Sequence, residues 1–198
     1  PRLLYADGFD PGEVVDQTMP VLGFARDEGP YDTGWHHHTR CQLLFAIRGV
    51  MTVRAHDGTW TVPPQQAVWV PAGIEHAVHA VQEVAMRSLY LDPGAAWGLP
   101  PTCCVLPVPP LLRELILRVV ALGRSYPTDS PEARLVAVIP DELRRLKPEP
   151  LHLPLPRDTR LSIVTSALIA DPGDRRDLGD WATQAGASER TLARLFNK

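Results

Sequence analysis

The sequence has few of the residues that mark a secreted, membrane-spanning or strongly basic protein. It has 3 cysteines in 198 residues. An odd count with no C-x-x-C pair argues against a disulfide framework and against a thiolate zinc site. It has neither a signal peptide nor an apolar run of about 18 residues, so we expect a cytoplasmic protein with no membrane partner. A formal net charge of −3 excludes a uniformly basic nucleic-acid binder, but it allows a local basic face.

Short strands separated by turn residues dominate residues 31–91. Residues 41–47 are rich in apolar side chains, residues 50–55 alternate between polar and apolar side chains, and Asp57-Gly58 is typical of a hairpin turn. Further strands are predicted at residues 60–62, 67–70, 76–81 and 84–91. Since no helical pattern separates these strands, the sequence predicts an antiparallel sandwich or barrel.

Helical periodicity replaces the strand pattern near residue 100. Residues 111–123 carry apolar side chains three and four positions apart, and Ser130-Pro131-Glu132 begins a second amphipathic helix that extends to residue 146. Pro140 lies inside this helix, so we expect a kink or a break there. Dimerisation through these helices is one interpretation, and packing within one subunit is the alternative. The proline-rich residues after 147 indicate a linker.

The sequence of the tail, residues 158–198, predicts three capped helices, of which the last two form a helical pair. Asp158 and Asp177 are the predicted N-caps of the first two helices, and Gly186 supplies the positive φ of the turn before the third. Arg190 and Arg194 share the outer face of the last helix. We expect an inward-facing cluster of Leu178, Trp181, Leu192, Leu195 and Phe196. This pattern is typical of a helix-turn-helix whose arginines read the major groove. An ordinary helical hairpin with solvated arginines is the alternative.

A cluster of histidines in the first half of the chain is the strongest candidate site. On a strand His36 and His38 share one face, His37 points away, and Gln42 keeps the parity of His38. Imidazole nitrogen and amide oxygen suit Zn, Ni, Fe, Mn or Cu(II). The candidate metal ligands are His36, His38, Gln42 and His76. An empty pocket or one that takes an organic ligand is the alternative. Core packing is the expected role of Trp35, Trp69 and Tyr90, and lining of the pocket is the alternative.

The spacing of these residues resembles the two cupin motifs. The first motif corresponds to His36-x-His38, Gln42 and Gly49, and the second to Pro71-x-Gly73-x-x-His76. Three positions depart from the resemblance: Gln42 replaces the usual glutamate, Gln65 the leading glycine of the second motif, and Ala80 its closing asparagine. Without the glutamate charge a divalent ion is held less tightly and its bound water is acidified less, which disfavours an enzyme. A metal-dependent cupin dioxygenase or isomerase and a metal-free small-molecule-binding cupin remain alternatives.

The order of these parts resembles the AraC/XylS-type transcription regulators. The resemblance implies an α+β chain: an antiparallel cupin-like β-barrel over residues 1–100, two amphipathic dimerisation helices over 101–147, a linker over 148–157 and a small all-α partial helix-turn-helix domain over 158–198. It also implies that the chain stops after the first of two helix-turn-helix units.

The same resemblance implies a function. It predicts a DNA-binding transcription regulator, not an enzyme, whose barrel senses a divalent metal (Zn, Ni, Fe or Mn) or a small molecule. The partners implied are operator DNA, the effector and a second copy of the chain in a homodimer. The candidate DNA contacts are Ser188, Glu189, Arg190, Thr191 and Arg194.

Overall fold

The structure is a computed structural model that describes residues 19–123, 125–149, 152–154, 156, 158–171 and 173–196. The chain divides into two compact units, Pro1–Leu153 and Pro154–Lys198. Residues 1–18 of the predicted barrel domain lie outside the described residues, as do Arg157, Asn197 and Lys198 of the predicted linker and tail.

Two five-stranded antiparallel sheets form most of the first unit. The strands are β1 (Val21–Glu28), β2 (Tyr31–Asp32), β3 (Cys41–Arg48), β4 (Met51–Ala55), β5 (Gly58–Val62), β6 (Gln66–Val70), β7 (His76–Ala80), β8 (Val84–Leu91), β9 (Cys104–Pro107) and β10 (His152–Pro154). One sheet has the order β1-β8-β3-β6-β9 and the other β10-β5-β4-β7-β2. Buried side chains of both sheets, among them Leu44, Val53, Val68 and Met86, form a common core. The predicted cupin-like α+β fold is confirmed.

The strand pattern in the sequence locates most of these strands correctly. In β4 the side chains of Met51, Val53 and Ala55 are buried and those between them are partly exposed, as the alternation predicts. The β4–β5 hairpin pairs Ala55 with Gly58, so its turn lies one residue earlier than predicted. The sequence pattern predicts no strand after residue 100, whereas β9 pairs with β6.

Two helices follow the strands, α1 (Pro110–Leu122) and α2 (Pro131–Arg145). Ser130 caps α2, because its hydroxyl accepts a hydrogen bond of 3.1 Å from the Ala133 amide. Of the predicted kink or break at Pro140, the break does not occur, since α2 continues through the proline to Arg145. Ile139 and Leu143, buried on either side of the proline, keep the helix on the core despite the hydrogen bond that proline removes.

The segment predicted as a linker contributes backbone to the first unit. The Glu149 amide donates to the Val105 carbonyl at 2.9 Å, and β10 lies beside β5 at a sheet edge. The prolines of this segment made it look like a linker in the sequence. A strand at the edge of a sheet tolerates proline, because the amide hydrogen that proline lacks is not needed for pairing there, whereas a central strand needs it.

The second unit contains α3 (Thr159–Ala170), α4 (Leu178–Gln184) and α5 (Glu189–Phe196). Asp158 caps α3, Asp177 forms a capping box with Asp180, and Gly186 has φ of 63°, as predicted. The core of this unit consists of Leu161, Val164, Trp181, Ala182, Ala185 and Leu192.

Two members of the predicted inward cluster of the tail do not face inward. Leu178 is 41% exposed and Phe196 is 50% exposed, whereas Leu195 is partly buried against the core. The prediction is wrong for these two because α3, rather than Leu178 and Phe196, supplies apolar partners for Trp181 and Leu192.

Among the helices that the structure describes, none is long and apolar enough to cross a membrane.

Gly23 lets α1 approach β1 closely. A Cβ atom at this position would lie 2.5 Å from the Val120 nitrogen and 2.6 Å from the Val119 carbonyl carbon. Because the obstacle is backbone, Gly23→Ala should lower the free energy of unfolding by about 1–3 kcal/mol, the usual cost of overpacking. Urea unfolding followed by circular dichroism measures the loss.

Gly94→Ala is the matched control. Its new methyl would meet only the Asp92 carboxylate, at 3.0 Å, and this is the end of a flexible side chain. Equal stability of the Gly23→Ala and Gly94→Ala variants would contradict the close packing of α1 on β1.

Candidate metal centre

Backbone pairing brings the two histidine motifs together. The amide of His36 donates to the carbonyl of His76 at 2.9 Å, and the amide of His76 donates to the carbonyl of His36 at 2.8 Å. The Gly73 amide donates to the His38 carbonyl at 2.9 Å. These bonds hold the segment before β3 against the start of β7, so residues about 40 positions apart in the chain become neighbours.

Each of the three imidazoles is fixed by a carbonyl two residues away. A carbonyl oxygen only accepts, so each Nδ1 carries the ring proton, and the neutral ring keeps its lone pair on Nε2. The three Nδ1–carbonyl pairs are His36 with Gly34 at 3.0 Å, His38 with Arg40 at 2.5 Å and His76 with Ile74 at 2.9 Å.

The ligand atoms of the three histidines converge. One ring nitrogen from each of His36, His38 and His76 lies within 4.8 Å of the other two. The Oε1 atom of Gln42 lies 3.0 Å from Nε2 of His38 and 3.1 Å from Nε2 of His76. Ligand atoms about 2.1 Å from one metal ion lie about 3.0–3.4 Å apart at octahedral and tetrahedral angles. The two Gln42 distances match this spacing, and the exposed His37 points away from the cluster as predicted.

Two hydroxyls on β8 hold the other end of the Gln42 amide. Its Nε2 donates to Ser88 Oγ and to Tyr90 Oη, both at 2.8 Å. The β3–β8 register places Gln42 opposite Tyr90, and Ser88 lies two residues away on the same face. Sequence reasoning missed Ser88 and favoured core packing over pocket lining for Tyr90, although two hydroxyl-bearing residues at alternate positions of an apolar strand are a signal of a buried polar contact.

The aromatic residues near the site have different roles from one another. Trp69 is 1% exposed, in agreement with the predicted core packing. Tyr90 is equally buried, but its hydroxyl belongs to the site. The prediction is wrong for Trp35, which is 48% exposed and stacks on the His56 ring at 5.1 Å.

Burial keeps the site uncharged. His38, Gln42 and His76 are almost completely buried. Desolvation lowers the pKa of His76 to about 3, with a further contribution from His36 and His38, and desolvation also lowers the pKa of His38. Both rings are therefore neutral near pH 7, which is the form of imidazole that binds metal ions.

The cysteines do not supply a competing site. Burial raises the pKa of the Cys103 thiol to about 12 and that of the Cys104 thiol to about 11. Because only the thiolate is a strong metal ligand, neither residue is ready to bind a metal near neutral pH.

The candidate DNA contacts lie at and along α5. Ser188 Oγ accepts from the Thr191 amide at 3.2 Å and lies 2.9 Å from Thr191 Oγ1, so this pair caps the helix. Glu189, Arg190 and Arg194 are exposed. The two arginines lie on the outer face of α5, opposite the buried Leu192, as the spacing predicts.

Comparison with known proteins identifies the family. The family model described as the AraC-like ligand binding domain matches residues 21–151, and the chain belongs to this family. It is 35% identical over 163 residues to the HTH-type transcriptional regulator NimR of Escherichia coli (strain K12), an alignment that covers 82% of this chain and 59% of that protein. The chain thus spans 59% of the length of this relative. The resemblance to AraC-type regulators is confirmed.

Similar solved structures include members of two kinds. A cupin-2 domain protein of Shewanella frigidimarina is 15% identical with a TM-score of 0.34, and the match covers 39% of this chain and 76% of that one. Apo ToxT K231A of Vibrio cholerae is 6% identical with a TM-score of 0.46, and the match covers 89% of this chain and 74% of that one.

Protonation of the buried histidines makes the metal-free protein acid-sensitive. The pKa of His76 is about 3 in the fold against 6.5 ordinarily, so the unfolded state binds more protons as the pH falls below 6.5. Stability is therefore greatest above pH 6.5 and declines toward pH 3. Between pH 7.5 and 5.5 His76 should account for a loss of about 1.4 kcal/mol in the free energy of unfolding.

Urea unfolding at the two pH values in the presence of a chelator measures this loss. The His76→Asn variant should lose that part of the pH dependence, and the exposed His37→Asn should retain it. A His76→Asn variant with the wild-type slope would show that His76 is not buried in its neutral form.

Proposed function

We propose that the chain belongs to a DNA-binding transcription regulator whose barrel senses a divalent transition metal. Support comes from the membership of the AraC-like ligand-binding family and from the 35% identity to a relative named as a transcriptional regulator. The observation that carries the metal part is the convergence of the three imidazoles with Gln42. Each imidazole Nδ1 is already engaged by a carbonyl, so Nε2 is the atom that remains for an ion.

The donor set favours sensing over catalysis. His36, His38, His76 and Gln42 would hold a Zn, Ni, Fe or Mn ion through three neutral nitrogens and one neutral oxygen. When bound, such an ion supplies Lewis acidity, which depends on the charge that its ligands leave uncompensated and on the groups that orient them. With no carboxylate in the set the ion is held less tightly and exchanges more readily, a property that suits a sensor.

Metal analysis of the purified chain tests the site. His36→Ala and His76→Ala should each remove most of the bound metal, because each deletes one of four ligands, whereas His37→Ala should leave it unchanged. Inductively coupled plasma mass spectrometry measures the metal bound to protein purified from cells grown in metal-supplemented medium. Titration of the metal-stripped protein with Zn²⁺ then gives the number of ions bound per chain. An unchanged metal content in both ligand variants would remove these histidines from the account.

The second unit would contact operator DNA through α5. Arg190 and Arg194 are exposed on one face of the helix, and arginine suits both phosphate and guanine edges. Ser188, Glu189 and Thr191 complete the proposed contact set. A homodimer, which we propose through exposed apolar residues of the first unit such as Leu111 and Val138, would present two such helices to spaced half-sites.

DNA binding is tested with duplexes selected by the wild-type chain from a random-sequence pool. Arg190→Ala and Arg194→Ala should each weaken binding by about 1–3 kcal/mol if the arginine reads a base. Arg175→Ala is the matched control, because Arg175 is equally exposed but precedes α4. Fluorescence anisotropy at fixed salt measures the affinities, and equal binding by all three variants would exclude α5 as the reading helix.

A small-molecule effector is the second candidate, and a cavity of the first unit favours it. The cavity has a volume of about 400 Å³, within the usual range of small-molecule sites. Its lining comprises Asp57, Trp60, Thr102, Cys103, Cys104, Pro148 and Glu149. Thermal-shift screening of the metal-free His76→Ala variant would separate an organic effector bound here from a metal bound at the histidines.

A further inference from the structure

Gln42 faces a hydrogen-bonding conflict when no metal lies among the histidines. Nε2 of His38 and Nε2 of His76 both point at Gln42 Oε1, at 3.0 and 3.1 Å. Because both Nδ1 atoms hold the ring protons, these nitrogens present lone pairs to an oxygen that also only accepts. A second proton on either ring would resolve the clash, but it would place an imidazolium in a site that is almost completely buried.

Rotation of the Gln42 amide by 180° removes this conflict without moving its neighbours. The two ends of the amide have nearly the same shape, so rotation about its last side-chain bond exchanges oxygen and nitrogen. Nε2 would then donate one hydrogen to each imidazole, and Oε1 would face Ser88 and Tyr90. These hydroxyls donate as readily as they accept, so they satisfy the amide in either orientation.

We propose that Ser88 and Tyr90 are positioning residues that allow Gln42 to take two orientations. With a metal present, Oε1 faces the histidines and Nε2 donates to the two hydroxyls, which is the arrangement in the structure. Without a metal, Nε2 faces the histidines and the hydroxyls donate to Oε1. The orientation with Oε1 toward the histidines is inferred from the proposed metal-sensing function. The orientation with Nε2 toward the histidines does not require a metal.

The two orientations of the amide give a physical reason for glutamine at a position where the cupin motif has glutamate. A carboxylate has no hydrogen to give, so an empty site with glutamate would leave both imidazole lone pairs without donors. Glutamine satisfies them, and a metal must then displace two hydrogen bonds in order to bind. Gln42→Glu should therefore bind Zn²⁺ at least about tenfold more tightly than the wild type, through both the added charge and the lost competition.

Nitrogen NMR of the full chain, labelled with ¹⁵N and stripped of metal, tests the metal-free orientation. We expect scalar couplings across N–H···N hydrogen bonds from Gln42 Nε2 to Nε2 of His38 and of His76, with both rings protonated at Nδ1. Gln42→Glu assigns the amide signals by removing them, and His37→Ala should leave the couplings unchanged. Absence of the couplings, with Nε2 protonated on either ring, would overturn the inference.

Addition of one equivalent of Zn²⁺ tests the exchange, with binding followed separately by calorimetry. The couplings should vanish as Zn²⁺ binds. Zn²⁺ binding at the histidines to a protein that shows no couplings beforehand overturns this inference and leaves the proposed metal function standing. Couplings in a protein that binds no Zn²⁺ contradict the metal function and support the metal-free orientation.

Removal of each hydroxyl tests the positioning role. Ser88→Ala and Tyr90→Phe should each weaken Zn²⁺ binding by roughly tenfold, as loss of a group that orients a ligand usually does. Ser88→Thr keeps the hydroxyl and should restore affinity, which a merely structural role of Ser88 would not require. Ser88→Ala removes a single oxygen and keeps the test valid if Tyr90→Phe fails to fold. Wild-type Zn²⁺ affinity in Ser88→Ala would exclude Ser88 as a positioning residue.

Discussion

Three hydrogen bonds from imidazole Nδ1 atoms to nearby carbonyls are the constraint on which the candidate site depends. Each bond joins a histidine to a residue two positions away, so it is local and forms with the turn or strand that carries it. It fixes both the orientation and the tautomer of the ring. The consequence is that Nε2 of His38 and Nε2 of His76 both point at Gln42 Oε1, and the chemistry of the site follows from that geometry.

The strand pairing of the barrel brings these locally constrained histidines together in one site. Reciprocal hydrogen bonds between His36 and His76 join the two motifs, and the register of β3 on β8 aligns Gln42 with Tyr90. Burial then lowers the pKa values of His38 and His76, so that these two rings are neutral near pH 7. A buried polar cluster of this kind is stable only when its members are satisfied, which explains why the partners of Gln42 matter as much as the histidines.

The sequence predicts those features that arise from local patterns. Spacing identified the three histidines and Gln42, alternation located β4, and capping residues marked the starts of α2, α3 and α4. Ser88 was missed, and the contact of Tyr90 with Gln42 was not predicted, because both contacts depend on a strand register that the sequence does not reveal. Non-local packing also explains the remaining differences: burial on both sides of Pro140 outweighs its effect on the helix, and α3 replaces Phe196 in the core of the second unit.

Anomalous diffraction from crystals of the chain grown with Zn²⁺ tests the central claim most directly. Data collected on both sides of the zinc absorption edge locate the ion without reference to any chemical assumption. Zinc bound at the proposed site would give one strong peak about 2.0–2.2 Å from Nε2 of His36, His38 and His76 and from Oε1 of Gln42. A peak elsewhere, or none at these side chains in zinc-saturated crystals, would contradict it.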